Sequence, residues 1–345
     1  MNQYLLSKNG KFYKTCLHSH TTDSDGKLSP KEKKDMYKSH GYSVLALTDH
    51  ELMVDHRELN DEDFLILQGY EFAINKGSPY IYSTDCHLNI FPTDENEFRM
   101  ICYNPSSIYY PDSRRFIPEL KYIGTPDFKK EYSEKCFQEV IKTAKENNML
   151  VMFNHPTGSL QTHEDMYMFD GVWGLEVYNN GFNSKARMEY DTCFYDYMLR
   201  RGNKLFCIAA DDSHGSLPPE NVYSDNCGGW VMVKADELSY KSIMNSLKSG
   251  NFYASTGPEI KELYLEDDIL HIKTSAVKRI NVNTAYRMCE GKCAEKGKTI
   301  TEAEFQIKDD WKYIRVEITD VEGYKAFSNA YFLEDLDYFK GEKNL

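Results

Sequence analysis

The sequence predicts an α/β fold, a barrel of strands and helices followed by a small all-β module. Three observations lead there. Through the first two thirds of the 345 residues, short apolar runs alternate with stretches of helical period, as βα units around a mainly parallel sheet or barrel would. A turn-rich junction at 251–258 then ends the alternation. Beyond it only strand-like runs remain. This length exceeds one ordinary small domain and fits a large barrel, alone or with an appended module. With 41% hydrophobic and 14% aromatic residues the chain can bury a large core, which excludes disorder as a description of the whole.

The elements follow in order. Strands are expected at 15–18, 44–48, 64–67, 88–91, 150–153, 174–177 and 205–209, runs rich in Leu, Ile and Val and too short for buried helices. A helix over 30–40 opens with Ser29 at the N-cap and Pro30 at the first helical position. Amphipathic stretches at 133–147 and 185–201 also read as helices. The segment 92–132 interrupts the pattern with Pro105, Pro111, Pro118 and Pro126 among Tyr, Ser and Asp. So long an irregular stretch is either a lid or substrate-binding excursion, or a plain surface insertion. A strand at 230–234 and a helix at 238–249 precede the junction. Past it, strands at 260–265, 269–274, 280–284, 305–307 and 314–319 predict a sandwich-like module. The expected division is a barrel over 1–257 and a β module over 258–345.

Composition narrows the function. A formal charge of −13 argues against a nucleic-acid partner, which needs basic surface to neutralise phosphates. A phosphorylated small molecule stays allowed, because a bound metal ion reverses the local field. Nine scattered cysteines without a C-x-x-C do not suggest a disulfide framework. Residues 1–12 lack the apolar core of a signal peptide, and no run of apolar residues is long enough to span a bilayer. The expectation is a cytoplasmic protein with no membrane partner; the oligomeric state stays open.

Chemistry concentrates at the carboxyl ends of the expected strands, where α/β barrels build their sites. His18 and His20 end the first, on the same side of an alternating strand, with Asp25 in the turn that follows. His50 ends the second, Glu71 the third, His155 a later one, and Asp212 and His214 follow 205–209. His87 begins the strand after Asp85-Cys86. Six of the ten histidines fall at these positions; His40, His56, His163 and His271 do not. One strand-end histidine is ordinarily a surface or hydrogen-bonded residue. Six converging with three carboxylates would repel or go unpaired without a cation. Nine nitrogen and oxygen donors exceed one ion's needs, so two or three divalent ions are expected, and Zn, Fe or Mn tolerate this mixture. Such ions clamp the attacking and leaving oxygens of a phosphoryl transfer and lower the pKa of a bridging water towards ~7.

The ordered motifs His18-x-His20-Thr-x-x-Ser24-Asp25-Gly26, Leu-Thr-Asp49-His50, Gly-Tyr-Glu71, Asn-His155-Pro and Asp212-x-His214 resemble those of the PHP (polymerase and histidinol phosphatase) superfamily over about residues 14–257. The junction at 249–258 with its β module is similar to the carbaryl-hydrolase-type (CehA/McbA-like) subgroup. The resemblance implies a distorted (β/α)7 barrel with a metal cluster at the strand ends. It also implies that His18, His20, Glu71 and Asp212 hold one ion. Glu71 and His155 would join a bridging pair with His87 nearby, and Asp25, His50 and His214 would serve the remaining ion. His87 is the weakest match, with Asp85 a competing ligand.

Other residues have candidate roles. Asp49 could orient a histidine. Glu176, at a strand end, could bond a ligand or be an ordinary structural carboxylate; Asp211 could support the site or face solvent. Lys185 and Arg187, placed at a helix start, could bind a substrate anion or be solvated charges. Arg114 and Arg115 could swing over the site. His214 or a metal-held water would protonate the leaving alkoxide. A Gly-x-x-x-x-Gly-Lys cradle and a serine nucleophile elbow are both missing. The expected function is a phosphoesterase that cleaves a small phosphorylated metabolite with a metal-bridged hydroxide. The rival is an ester, carbamate or amide hydrolase using the same cluster. A binding protein without turnover is disfavoured, since every matched ligand position is filled.

Overall fold

The structure, a computed structural model, describes residues 2–185 and 190–342. Two sheets carry the first two thirds of the chain. In one, Lys11–Cys16, Val44–Leu47 and Leu65–Gln68 run parallel. In the other, Met149–Phe153, Gly174–Asn179 and Phe206–Ala210 run parallel, and Asp85–Pro92 and Tyr70–Asn75 extend them antiparallel. One core lies between the sheets, joining Val44, Ala46 and Leu67 to Leu88, Val151, Val177 and Ile208. Strand alternation sends Leu45, Leu47 and Ile66 the other way, against Tyr37 of the helix Pro30–Ser39. Ser29 and Glu32 close that helix start as a reciprocal capping box. The helix Glu134–Glu146 starts from Ser133, whose side chain accepts from Cys136 N.

A closed seven-fold βα barrel does not form among the described residues. The two sheets are joined by single bridges at the strand ends, Ser19 with Ser213 and His50 with Glu71. The alternation fails at Asp85–Pro92 because residues 76–84 are too few for the crossover a parallel pair needs, about a dozen or more. The chain therefore turns back as a hairpin. The helix expected over 185–201 is also corrected. A short helix Asn180–Asn183 precedes it and a longer one spans Thr192–Arg200.

The first sheet continues past the barrel strands. Trp230–Ala235 pairs with Lys11–Cys16, then follow Phe252–Ser255, Lys325–Ser328, Tyr313–Thr319, Arg279–Thr284 and Glu290–Cys293. A second layer of Asn2–Tyr4, Ile260–Glu266, Ile269–Val277 and Ile300–Gln306 covers this extension. Leu263, Leu265 and Ile272 share a core there with Val282, Val316 and Ile318. The sheet thus crosses position 258 without interruption, and the N-terminal strand joins the C-terminal layer. Among the described residues no helix is long and apolar enough to cross a membrane, and all nine cysteines are free.

Candidate metal centre

The strand ends deliver their side chains to one place. Ser19 sits in register with Ser213, and His50 with Glu71, so the two bridges that join the sheets also juxtapose the flanking residues. His20 N donates to Ser213 O, Asp212 N to His18 O and Glu71 N to Asp49 O. The backbone is strained where the ligands sit. His155 has φ 28°, Asp212 φ 52°, and Glu51, beside His50, φ 61°, values uncommon for residues other than glycine. Gly26 is needed for another reason. A Cβ there would lie 2.5 Å from the His20 carbonyl oxygen, and this close approach folds the Asp25 turn back over the strand end.

All nine expected ligands come together. His18, His20, Glu71 and Asp212 form one buried group and His20, Asp25, His50 and His214 a second. Within each, candidate ligand atoms lie within 4.8 Å of one another. His20 belongs to both: its Nε2 is 3.0 Å from Asp212 Oδ1 and its Nδ1 is 3.8 Å from Asp25 Oδ1. Glu71 is the hub. Its oxygens lie 3.2 Å from His18 Nε2, 3.4 Å from His20 Nε2, 3.0 Å from both His50 Nδ1 and His87 Nδ1, and 3.5 Å from His155 Nε2. His18 Nε2 and His20 Nε2 are only 3.3 Å apart, a contact that needs a proton or a cation between the two nitrogens.

Buried His20 Nδ1, Glu71 Oε2 and His155 Nε2 make no well-aligned hydrogen bond, although Glu71 Oε2 lies 3.0 Å from His50 Nδ1. Leaving such atoms bare costs on the order of 1–3 kcal/mol each, and all three point to the same cure, a cation. The donor set of imidazole and carboxylate suits Zn, Fe or Mn, so the residues fit the ions that the sequence implied.

Charge is strongly coupled here. Burial alone would depress His18, yet Asp212, Glu71 and Glu176 hold its imidazole well above the ordinary value. Burial is likewise overcome at His87, raised to about 9 mainly by Glu71, and at His214, raised to about 9 mainly by Asp25. His50 goes the other way: burial, with repulsion from His20 and His87, outweighs Glu71 and Asp25 and pushes it down to about 3. Glu71 and Asp212 stay well below the carboxylate range despite burial, because imidazoles surround them. A histidine raised from 6.5 to about 9 on folding contributes stability fully present below pH 6.5 and lost as pH rises through about 9. The ion-free protein should therefore lose stability across that window. Ion-binding imidazoles are already neutral, so the loaded protein should not, and the gap between the two thermal midpoints should widen with pH. Parallel profiles would contradict the assignment.

The remaining expected residues are placed differently. Asp49 does not orient a histidine. Its carboxylate accepts from Thr21 N and Oγ1 and from Ser24 N and Oγ, at 2.7, 2.8, 3.2 and 2.5 Å, and so pins the loop carrying Asp25. Glu176 is fully buried beneath the cluster. Its Oε1 lies 3.0 Å from His18 Nδ1, and its Oε2 accepts from His155 N and Asn179 Nδ2. Asp211 accepts from the Tyr37 hydroxyl and from the backbone of Cys227, Gly228 and Gly229, which fixes the 225–229 loop. Lys185 lines the cavity above the cluster. It follows the end of the four-residue helix Asn180–Asn183, and the first turn of a helix starting from it would lie outside the described residues. Arg187 lies outside the described residues. Arg114 donates to Ile108 O and Arg115 approaches Asp23, so neither covers the site.

Sequence reading missed three contributors. Tyr110, from the 92–132 excursion, donates to Asp25 Oδ2 at 2.8 Å and lines the cavity. Lys130, at the far end of that excursion, pairs with Glu51 and donates to Ala73 O, anchoring the segment beside His50. Buried Lys33 donates to Ser213 O and Oγ, supporting the turn between Asp212 and His214. Tyr110 and Lys130 carried no signal in the sequence.

No protein-family model matches the sequence, and no curated protein does. Among solved structures, a two-domain protein from Bacteroides vulgatus containing a predicted PHP-like metal-dependent phosphoesterase is 14% identical over 96% of this chain and 97% of its own, with a TM-score of 0.45. A Bifidobacterium adolescentis chain described provisionally as a metal-dependent phosphoesterase is 18% identical over 64% of this chain and 94% of its own, TM-score 0.39. An amidohydrolase from Chromobacterium violaceum is 17% identical over 58% and 87%, TM-score 0.37. Similarity at this level assigns no chemistry to the chain.

Proposed function

We propose that the chain is a metal-dependent hydrolase of the PHP superfamily that cleaves a small phosphorylated metabolite. The observation that carries the reading is the cluster itself, two four-residue groups sharing His20 and hinged on Glu71, with three buried donor atoms that make no well-aligned hydrogen bond. The ordered motifs support the family, since all eight of their candidate ligands converge, with His87 beside them. When bound, two or three divalent ions supply the Lewis acidity that activates water and absorbs charge building on the phosphoryl oxygens.

The chain's own residues do the rest. Glu176 accepts the Nδ1 proton of His18 and so aims Nε2 inward; Asp49 and Gly26 hold the Asp25 turn. His214 Nδ1 lies 2.9 Å from Asp212 O, which leaves Nε2 to face Asp25 as a ligand atom or as the proton donor to the departing alkoxide. In the overall reaction water supplies the new P–OH bond, the P–O bond to the alcohol breaks, and the alkoxide takes a proton. The cavity over the cluster, about 440 Å³, suits a small metabolite. Lys185 is the one Lys or Arg among the described residues lining it, a counter-charge for a phosphoryl group.

Elemental analysis with an assay on p-nitrophenyl phosphate and p-nitrophenyl acetate, before and after chelation, tests the reading. Two or three equivalents of Zn, Fe or Mn, and phosphate turnover abolished by chelator and restored by metal, are expected. Bound metal with turnover of the acetate alone would move the chemistry to a carbon centre. Absence of metal under every loading condition would overturn the cluster.

A further inference from the structure

The cavity is also lined by apolar and aromatic side chains that are not candidate ligands. Ile81, Tyr110, Leu160 and Phe182 line it. Ile81 is 69% and Leu160 40% exposed, so both present apolar surface to a molecule in the cavity. Leu160 also holds a left-handed backbone, φ 59°, which glycine or asparagine adopts readily and leucine does not. In the turn Leu160 N donates to Thr157 O and Gln161 N to Pro156 O, and its side-chain hydrogen bonds come from Thr157, Ser159 and Gln161, so none of them calls for the leucine side chain. Strain of this kind collects at ligand sites.

The two aromatic residues extend the surface inward. A Cβ on Gly158 would lie 2.8 Å from ring carbons of Phe182, so the bare glycine lets that ring lie across the turn, 4.8 Å from the His155 ring. The Tyr110 ring rests 5.7 Å from His50. Each ring is seated on one imidazole of the cluster, so apolar surface begins where the candidate ligands end.

We propose that the site selects phosphomonoesters whose leaving alcohol is apolar and ring-sized, lodged against Ile81, Leu160, Phe182 and Tyr110 while the phosphoryl group faces the cluster. This rests on the phosphoesterase reading above. The test is calorimetric binding of benzylphosphonate and methylphosphonate, neither hydrolysable, to the metal-loaded full chain. Benzylphosphonate should bind at least about tenfold tighter, the scale expected for burying one ring. Ile81→Asn and Leu160→Asn, both at exposed positions, should each cut that ratio by about threefold or more, with metal content measured alongside. Equal affinities for the two phosphonates, or a ratio unchanged in both variants, would overturn the proposal and leave the phosphoesterase reading standing. Failure of either phosphonate to bind protein of full metal content, without turnover of p-nitrophenyl phosphate, would remove that reading and this one with it.

Discussion

Replacing Glu71 by glutamine is expected to strip the protein of its metal ions and of its turnover together. Glu71 is buried and within 3.5 Å of five imidazoles, those of His18, His20, His50, His87 and His155. Its two oxygens are shared between both halves of the cluster. Glutamine keeps the shape and removes the charge and one acceptor, so any ion that Glu71 would hold would lose an anionic donor. The loss of metal affinity should exceed the roughly 10–100-fold that follows removal of a group merely supporting a ligand. Equilibrium dialysis with elemental analysis measures it. Metal content and activity close to those of the parent protein would show that Glu71 is only a counter-charge for protonated histidines. Asn154 Nδ2, which donates to Glu71 Oε1 at 2.8 Å, limits rotation of the new amide and keeps the comparison isosteric.

Glu176→Gln should give a smaller and diagnostic effect. The carboxylate faces three donors, His18 Nδ1, His155 N and Asn179 Nδ2. An amide offers one acceptor oxygen and one NH2, so one of its ends must meet a donor. If oxygen stays with His155 and Asn179, His18 loses the partner that fixes its tautomer, and its Nε2 is no longer reliably a lone pair. A fall of about 10–100-fold in metal affinity, with the fold intact by circular dichroism, is expected of such a positioning residue. His18, His155 and Glu176 also form a candidate ligand group of their own. A loss as large as that of Glu71→Gln would mean that Glu176 binds an ion directly, and no loss at all would make it an ordinary structural carboxylate.

The ligand set was legible because strand-end placement is a local property. An apolar run, then His18-x-His20 or Asp49-His50, is readable in a few residues, and the order of such motifs survives without knowledge of the fold. One helix start was legible for the same reason: Ser29-Pro30 announces its cap, and the helix begins at Pro30. The strand runs at 44–48 and 150–153 fell within a residue of those observed, since composition and period settle them.

Other features depend on residues far apart in sequence. That Glu71 would be the hub follows from its register with His50 across the junction of two sheets, which no motif encodes. The open barrel follows from the short 76–84 connection, which forces a hairpin where a βα pattern suggested a crossover. Asp49 looked like a histidine's partner because it adjoins one, yet its carboxylate meets the Thr21–Ser24 loop instead. Tyr110 lies 85 residues from Asp25, in a segment with no periodicity, so only packing could bring it over the cluster. The sequence by itself determined which atoms could ligate and roughly where the strands carrying them end, because both are written in residue type and short-range period. Which candidate donors lie close enough to share an ion, which carboxylates hold other residues in place, and what apolar surface faces them came only from the folded chain, because these are set by register between sheets and by contacts whose cost and gain appear only once the chain has closed on itself.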